Sequence, residues 1–194
     1  MNRRLRSRVF FLAVALFLVI TTAGAESTWQ LTLSLREAGL NESGAELVFG
    51  VDPAGTDRID RHLGVVELPP PAPGLNFDAR FRSATMGEGS RTDIRFGGSP
   101  QQEHVSIIEF KRQAGGNVVF TWDEAAVAAR TVSAVLRDPF DGMFYQVDMR
   151  QEGSLTVEYS ALERLELVFT SVDGFDLEGT PVTATSWGRV KAAR

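Results

Sequence analysis

Apolar residues recur at every second position through most of the chain beyond residue 28. Successive side chains of a β-strand point to opposite faces, so this period of two predicts strands with one buried face. A helix would need apolar residues three and four positions apart, and the chain offers almost no such stretch. The clearest alternating runs are residues 29–35, 47–51, 105–111, 132–137 and 165–169.

Further short strands are expected between these runs. The candidates are residues 77–81, 94–96, 117–122, 143–149 and 155–159. About ten strands at spacings near 8–12 residues predict an all-β fold, an antiparallel β-sandwich or jelly roll.

Two connections have recognisable local signals. Gly115 and Gly116 lie between two strand candidates and predict a hairpin turn. Residues 123–130 are rich in helix formers. They predict either a short helix or a loop that crosses between the sheets.

The first 25 residues have the order of parts of a secretory signal peptide. A start with four arginines precedes an apolar run over residues 9–20, and Ala23, Gly24 and Ala25 fit a cleavage site. The apolar run is shorter than the ~20 residues that span a bilayer, although an uncleaved anchor is the alternative. Residues 26–179 then form a single predicted domain, and residues 180–194 a flexible C-terminal tail.

Charge limits the partners of the exported chain. Cleavage of the predicted signal peptide would remove four arginines. The remaining residues 26–194 contain 16 basic and 25 acidic residues, a net charge of −9. Such a surface repels nucleic acid and acidic lipid headgroups. We find no second apolar stretch long enough to span a membrane. These features predict a soluble protein of the periplasm, cell surface or extracellular space, with no nucleic-acid partner.

The chain lacks the residues that most classes of enzyme use for catalysis. The chain has no cysteine, which excludes disulfides, thiol nucleophiles and cysteine-bound metals. His62 and His104 are isolated, and surface or capping roles fit both. Nucleophile-elbow, zinc-protease and phosphate-loop motifs are missing. We therefore predict a protein that is not an enzyme.

A carbohydrate-active enzyme, or an accessory module of one, is the alternative. Glycosidases need two carboxyl groups that face each other across a cleft, and acidic residues are abundant. The carboxyl candidates are Glu67, Asp78, Glu109, Asp123 and Asp148.

The long connection over residues 52–76 contains the best metal candidates. Asp52, Asp57 and Asp60 could supply oxygen ligands to Ca²⁺, which takes six to eight of them. Alternatively, these side chains accept hydrogen bonds from local N–H groups in a solvated turn. Arg58 and Arg61 would then balance their charge.

The proline-rich end of this connection, residues 69–73, predicts a stiff strap over one end of the sheets. Aromatic residues are the other binding candidates, because their rings can stack on sugars. Trp29 and Trp122 lie in apolar alternation and are expected in the core. Trp187 lies in the tail and is the candidate for ligand binding.

Several segments carry a resemblance to a known kind of domain. They are residues 50–57, followed by Asp60, residues 67–71 and residues 77–81, with shorter echoes at 122–123, 136–138 and 147–149. Their order resembles a domain of secreted bacterial proteins that carry type IX secretion sorting tails or C-terminal Ig-like modules. The resemblance implies an exported β-sandwich without established chemistry. Residues 185–192 are similar to the short tails of such proteins, which implies contact with the export machinery.

Together these features predict a non-enzymatic exported protein with a structural or ligand-binding role. Its expected partner is a glycan or a cell-surface protein.

Overall fold

The computed structural model describes residues 28–40, 44–71, 76–83, 85–97, 102–175 and 181–183. The predicted signal peptide and Trp187 lie outside these residues. The strands are β1 (Trp29–Glu37), β2 (Gly44–Asp52), β3 (Asp78–Arg82), β4 (Thr92–Phe96), β5 (Glu103–Lys111), β6 (Val118–Thr121), β7 (Thr131–Arg137), β8 (Gln146–Asp148), β9 (Ser154–Val157), β10 (Arg164–Ser171), β11 (Asp173–Phe175) and β12 (Pro181–Thr183). One α-helix, α1 (Glu124–Arg130), and a 3-10 turn (Arg61–Leu63) complete the described elements.

Ten of these strands form two five-stranded sheets, as the alternating pattern predicted. Sheet A has the order β4-β2-β1-β6-β9, and sheet B the order β3-β5-β10-β7-β8. The pairings are antiparallel except for β2 with β4, which is parallel. Strands β11 and β12 pair as a separate hairpin, so residues 181–183 of the predicted tail are a strand. The all-β prediction is confirmed.

One hydrophobic cluster contains buried residues of both sheets. Phe49 of sheet A lies 5.5 Å from Phe169 of sheet B, measured between ring centroids, and Trp29 contacts both rings. Phe110 and Phe120 make a second contact between the sheets at 5.4 Å. The expected burial of Trp29 and Trp122 is correct, because only 4% and 9% of these residues is exposed. Burial of these large rings is the main stabilising contribution.

The chain passes repeatedly from one sheet to the other. Seven of the nine connections between the ten strands do so, and only β1–β2 and β7–β8 join strands of one sheet. Of the two alternatives predicted for residues 123–130, the short helix is confirmed, and α1 lies in the connection that crosses from sheet A to sheet B. Asp123 starts it by accepting a hydrogen bond from the Ala126 N–H at 2.9 Å. None of the described helices is long and apolar enough to span a membrane.

The edges of the two sheets are joined in pairs. Strands β3 and β4 are edge strands of different sheets and follow each other in sequence, and the same holds for β8 and β9. Phe81 of β3 also pairs with Ser90, which lies two residues before the start of β4. Each edge strand of sheet A is therefore joined by a short connection to an edge strand of sheet B.

The long connection after β2 packs against the rest of the protein. Val65, Met86 and Ile94 form a second buried cluster, with Ile59 and Leu63 packed against it. Residues 65–70 of this connection have no regular secondary structure. Residues 59–65 of this connection thus cover apolar surface at β4.

The hairpin predicted at Gly115 and Gly116 is wrong. Strand β5 pairs with β3 and β10 in sheet B, whereas β6 pairs with β1 and β9 in sheet A. The connection is an arch between the sheets. Gly115 has a φ of +76°, a left-handed conformation that glycine adopts readily. It reverses the chain direction in the arch, but the two flanking strands do not pair with each other.

The strand predicted over residues 143–149 is shorter than expected. Only Gln146–Asp148 forms β8, and residues 138–145 form a loop. Met143 is 77% exposed, although its position in the alternation placed it in the core. The N–H groups of Phe144 and Tyr145 bond to the side chain of Asp138, so they are withdrawn from a ladder.

A buried carboxylate holds the arch between β5 and β6. Glu37 is 1% exposed and lies at the end of β1. It accepts hydrogen bonds from the backbone N–H groups of Gln113, Ala114 and Gly116, the last at 2.6 Å. These residues lie in the arch and not in a strand, and the carboxylate supplies their N–H groups with acceptors.

Replacement of Glu37 tests this role. Glu37→Gln keeps one acceptor oxygen and introduces an amide donor opposite the arch, so we expect the free energy of unfolding to fall by about 2–3 kcal/mol. Urea denaturation measures the loss. Glu46→Gln, at an exposed position of β2, is the matched control and should change stability by less than about 0.5 kcal/mol. Equal stability of the two variants would contradict the assignment.

Candidate functional site

A cluster of large apolar side chains is exposed at the end of the sheets that carries the arch. Phe140, Met143, Phe144 and Tyr159 are between 58% and 77% exposed, and we call them the aromatic patch. Phe140 and Phe144 meet edge to face at 5.9 Å, and Phe144 lies 6.5 Å from Tyr159. Contiguous exposed apolar side chains of this size mark interaction sites on soluble proteins.

Asp138 holds the loop that carries most of the patch. The residue is fully buried and accepts hydrogen bonds from the N–H groups of Phe140, Phe144 and Tyr145 at 2.7–2.8 Å. Burial opposes its ionisation, but these donors outweigh the effect and hold the pKa of Asp138 below its ordinary value. Asp141 supplies the left-handed turn of the loop with a φ of +56°.

Two further contacts hold Tyr159 beside this loop. The Tyr145 hydroxyl accepts hydrogen bonds from the N–H groups of Glu158 and Tyr159 at 3.1 and 3.0 Å. Arg112, which is 7% exposed, donates to the carbonyl groups of Tyr159, Ser160 and Leu162. The backbone under the patch is therefore fixed by side chains, which lowers the entropy lost on binding.

A groove of about 670 Å³ begins at the patch and runs over the outer face of sheet B. Phe140 and Tyr159 line one part of it, and charged residues of β3, β5 and β10 line another. Glu109 accepts hydrogen bonds from both Arg82 and Arg164 at 2.7 Å. Partial burial would raise the pKa of Glu109, but the two arginines outweigh it and hold that pKa below its ordinary value.

The other carboxyl candidates are also engaged. Asp78, which lines the groove, pairs with Arg80 and Arg91. Asp123 caps α1, as described above. Glu67 accepts from the Glu88 N–H, and Asp148 from the Arg150 N–H. Only Asp78 and Glu109 of the five candidates lie in the groove.

A polar cluster at the opposite end contains a serine, a histidine and an aspartate. The Ser106 hydroxyl donates to Asp93, which also pairs with Arg95. His104 stacks on Phe169 with ring centroids 5.1 Å apart. A nucleophile needs a base within hydrogen-bond reach, and here Ser106 is bonded to the carboxylate instead.

The surface role expected of His104 is wrong. The residue is 7% exposed, because its position in β5 faces the buried side. Burial and the neighbouring charge of Arg95 lower the pKa of His104. His62 is exposed, in agreement with the expectation.

The predicted calcium ligands have separate partners. Asp52 accepts from the Ala54 N–H at 2.7 Å, and Asp60 accepts from the N–H and hydroxyl groups of Thr56. Asp57 pairs with Arg95 at 2.7 Å. Among the described residues, no three or more histidine or acidic side chains are grouped as a metal site would require. Asp52 and Asp60 therefore accept hydrogen bonds from local N–H groups, as in the alternative to a calcium site.

The aromatic patch was missed in the sequence. Met143 was assigned to the strand candidate at residues 143–149, and Tyr159 to the one at residues 155–159. Asp138 next to Pro139, and Asp141 next to Gly142, mark a break in the chain that could have indicated an exposed loop. Trp187, the predicted ligand contact, lies outside the described residues.

Comparison of the chain with protein families, with curated proteins and with solved structures gave no match. The resemblance to type IX-secreted domains therefore stays a prediction.

The loop of the aromatic patch should depend on Asp138. Asp138→Asn replaces an acceptor oxygen by a donor, so we expect a loss of about 2 kcal/mol in the free energy of unfolding. The native pKa of Asp138 is lowered, so its contribution is present above the ordinary carboxyl pKa and disappears as the pH falls through the native value. The difference between wild type and variant should accordingly shrink below roughly pH 4. Thermal unfolding at several pH values measures both.

The control for this substitution is Asp141→Asn in the same loop. Its carboxylate is 94% exposed, so we expect little change in stability at any of these pH values. A loss as large as that of Asp138→Asn would contradict the role assigned to Asp138.

The calcium prediction is tested by melting. If Asp52, Asp57 and Asp60 bind Ca²⁺, the ion at a hundred times its dissociation constant adds about 2.7 kcal/mol of stability. The melting temperature should then be higher in calcium than in chelator, and Asp57→Asn should reduce the difference. Identical curves in calcium and in chelator contradict the site.

Proposed function

We propose that this chain is a non-enzymatic exported protein that binds an extracellular ligand through the aromatic patch. In this proposal the two sheets form a β-sandwich of the jelly-roll kind. The ligand is a glycan or a cell-surface protein, and the location is the periplasm, the cell surface or the extracellular space. The pattern of residues 1–25 supports export.

The observation that carries the proposal is the exposure of the four patch side chains on a fixed backbone. A folded chain ordinarily buries side chains such as Phe140, Phe144 and Tyr159. Here the buried residues Asp138 and Arg112 fix the backbone that carries them through hydrogen bonds to N–H and carbonyl groups. Fixed aromatic anchors of this kind supply most of the binding energy at interfaces.

The charged part of the groove favours binding over catalysis. A glycosidase needs a general acid that is protonated near neutral pH, and therefore a carboxyl group with a raised pKa. The pKa of Glu109 is lowered by its two arginines. Asp78 is likewise paired with two arginines. Both carboxylates are suited to organising the groove and to accepting hydrogen bonds.

A carbohydrate-active enzyme or accessory module is the second candidate. The groove favours it in one respect, since carboxylates and exposed aromatic rings lie together there. In such a protein Tyr159 would contact the sugar rings.

The loose resemblance to type IX-secreted domains fits the proposal. It would place the protein at the surface of a bacterial cell, with residues 185–192 as a sorting signal read by the export machinery. The experiment on the patch does not depend on that route.

Binding should depend on the aromatic patch. We propose to apply the purified protein to a printed glycan array and to a displayed library of random peptides. We expect a ligand from one of these sources, and Phe144→Ser should weaken its binding by at least about tenfold. The substitution removes an exposed side chain, so stability should change by about 0.5 kcal/mol or less.

Val132→Ser is the matched control, because Val132 is 48% exposed on β7 and is not part of the patch. It should leave binding unchanged. Hydrolysis of glycans, esters and peptides is assayed in parallel. Robust turnover that disappears in Glu109→Gln would replace the proposal by the enzymatic alternative.

A further inference from the structure

The surroundings of the aromatic patch are acidic. Its two loops, residues 138–145 and 158–163, contain the exposed side chains of Asp141, Glu158 and Glu163 and no lysine or arginine. Asp141 lies 3.7 Å from Arg137, a separation at which an exposed pair is weak. The net charge of −9 for residues 26–194 extends the negative field beyond the loops.

Three arginines that contact or directly flank the two loops are already engaged. Arg112 is buried beneath the second loop, where it donates to backbone carbonyl groups. Arg137 pairs with Glu166 at 3.0 Å, and Arg164 pairs with Glu109 at 2.7 Å. The adjoining groove is of mixed charge, since its lining includes Arg80, Arg82, Lys111 and Arg164. In the two loops themselves, a ligand on the patch would meet apolar rings beside carboxylates and no cation.

The shape of the patch favours side chains of a polypeptide over a flat sugar ring. The planes of Phe140 and Phe144 are 87° apart, so these rings do not form one continuous stacking surface. Met143, the most exposed member, is flexible and adapts to apolar groups of irregular shape. Aromatic residues and methionine are enriched in protein interfaces in the same way.

We propose that the aromatic patch docks a basic polypeptide segment, in which apolar side chains are flanked by lysine or arginine. This inference rests on the proposed binding function and narrows its ligand. The apolar side chains insert among Phe140, Met143, Phe144 and Tyr159. The flanking cations contact Asp141, Glu158 and Glu163, and the negative field of the protein speeds their association.

The test begins with the purified protein and a displayed library of random 12-residue peptides, selected at low and at physiological salt. We expect enriched peptides that combine aromatic or aliphatic residues with lysine or arginine. A synthetic copy of the most enriched peptide is then titrated against the protein and its variants. Phe144→Ser should weaken binding by at least about tenfold.

Charge is tested separately. The double variant Glu158→Gln with Glu163→Gln should weaken binding about three- to tenfold and reduce its dependence on salt. Glu46→Gln, an exposed carboxylate on β2, and Val132→Ser should have no effect. Thermal melting of each variant confirms that the fold is intact.

Three outcomes overturn the inference. Enriched peptides without a basic bias, or with an acidic one, overturn the ligand chemistry but leave the proposed function standing. Glycan binding that requires Phe144, without any peptide enrichment, likewise overturns the ligand chemistry and leaves the proposed function standing. If neither peptides nor glycans bind, or if binding is unaffected by Phe144→Ser, the proposed function itself is wrong.

Discussion

The two sheets must bury their apolar faces against each other, and the other features of the structure depend on this constraint. Rings such as Phe49 and Phe169 meet between the two sheets, and seven of the nine connections cross from one sheet to the other. A crossing segment leaves backbone groups without a strand partner. Here buried charged side chains supply the missing partners: Glu37 bonds to N–H groups, and Arg112 bonds to carbonyl groups. The same solution at Asp138 keeps an aromatic loop in solvent.

Much of the fold could be predicted because its signals are local. Alternation over residues such as 29–35 depends only on the geometry of a single strand, and it identified most strands and the main core positions. Helix α1 was equally accessible, since its cap, Asp123, and its helix formers are neighbours in sequence.

The errors came from properties that depend on distant residues. Gly115 indicates a change of chain direction, but the partners of β5 and β6 are decided by the packing of whole sheets. Met143 resembles a core residue in the sequence, because its apolar character fits the alternation. Alternation cannot distinguish burial from exposure in a loop whose conformation is fixed by contacts with other parts of the chain. That loop is fixed by Asp138 and by Tyr145, whose hydroxyl contacts a different connection. The candidate site therefore emerged only from the structure, although the break near Asp141 marked its position.

The edge strands of the two sheets follow each other in sequence, as β3 with β4 and β8 with β9, and this order has a consequence for self-association. Strands at the open sides of β-sheets present free backbone groups that can recruit a second chain. Strands β3 and β4 have five residues each, and β8 and β9 have three and four. Edge strands this short, each joined to the next by a short connection, offer few backbone groups with which a second chain can pair. The strand order thus limits how many free backbone groups each open edge presents to a neighbouring molecule.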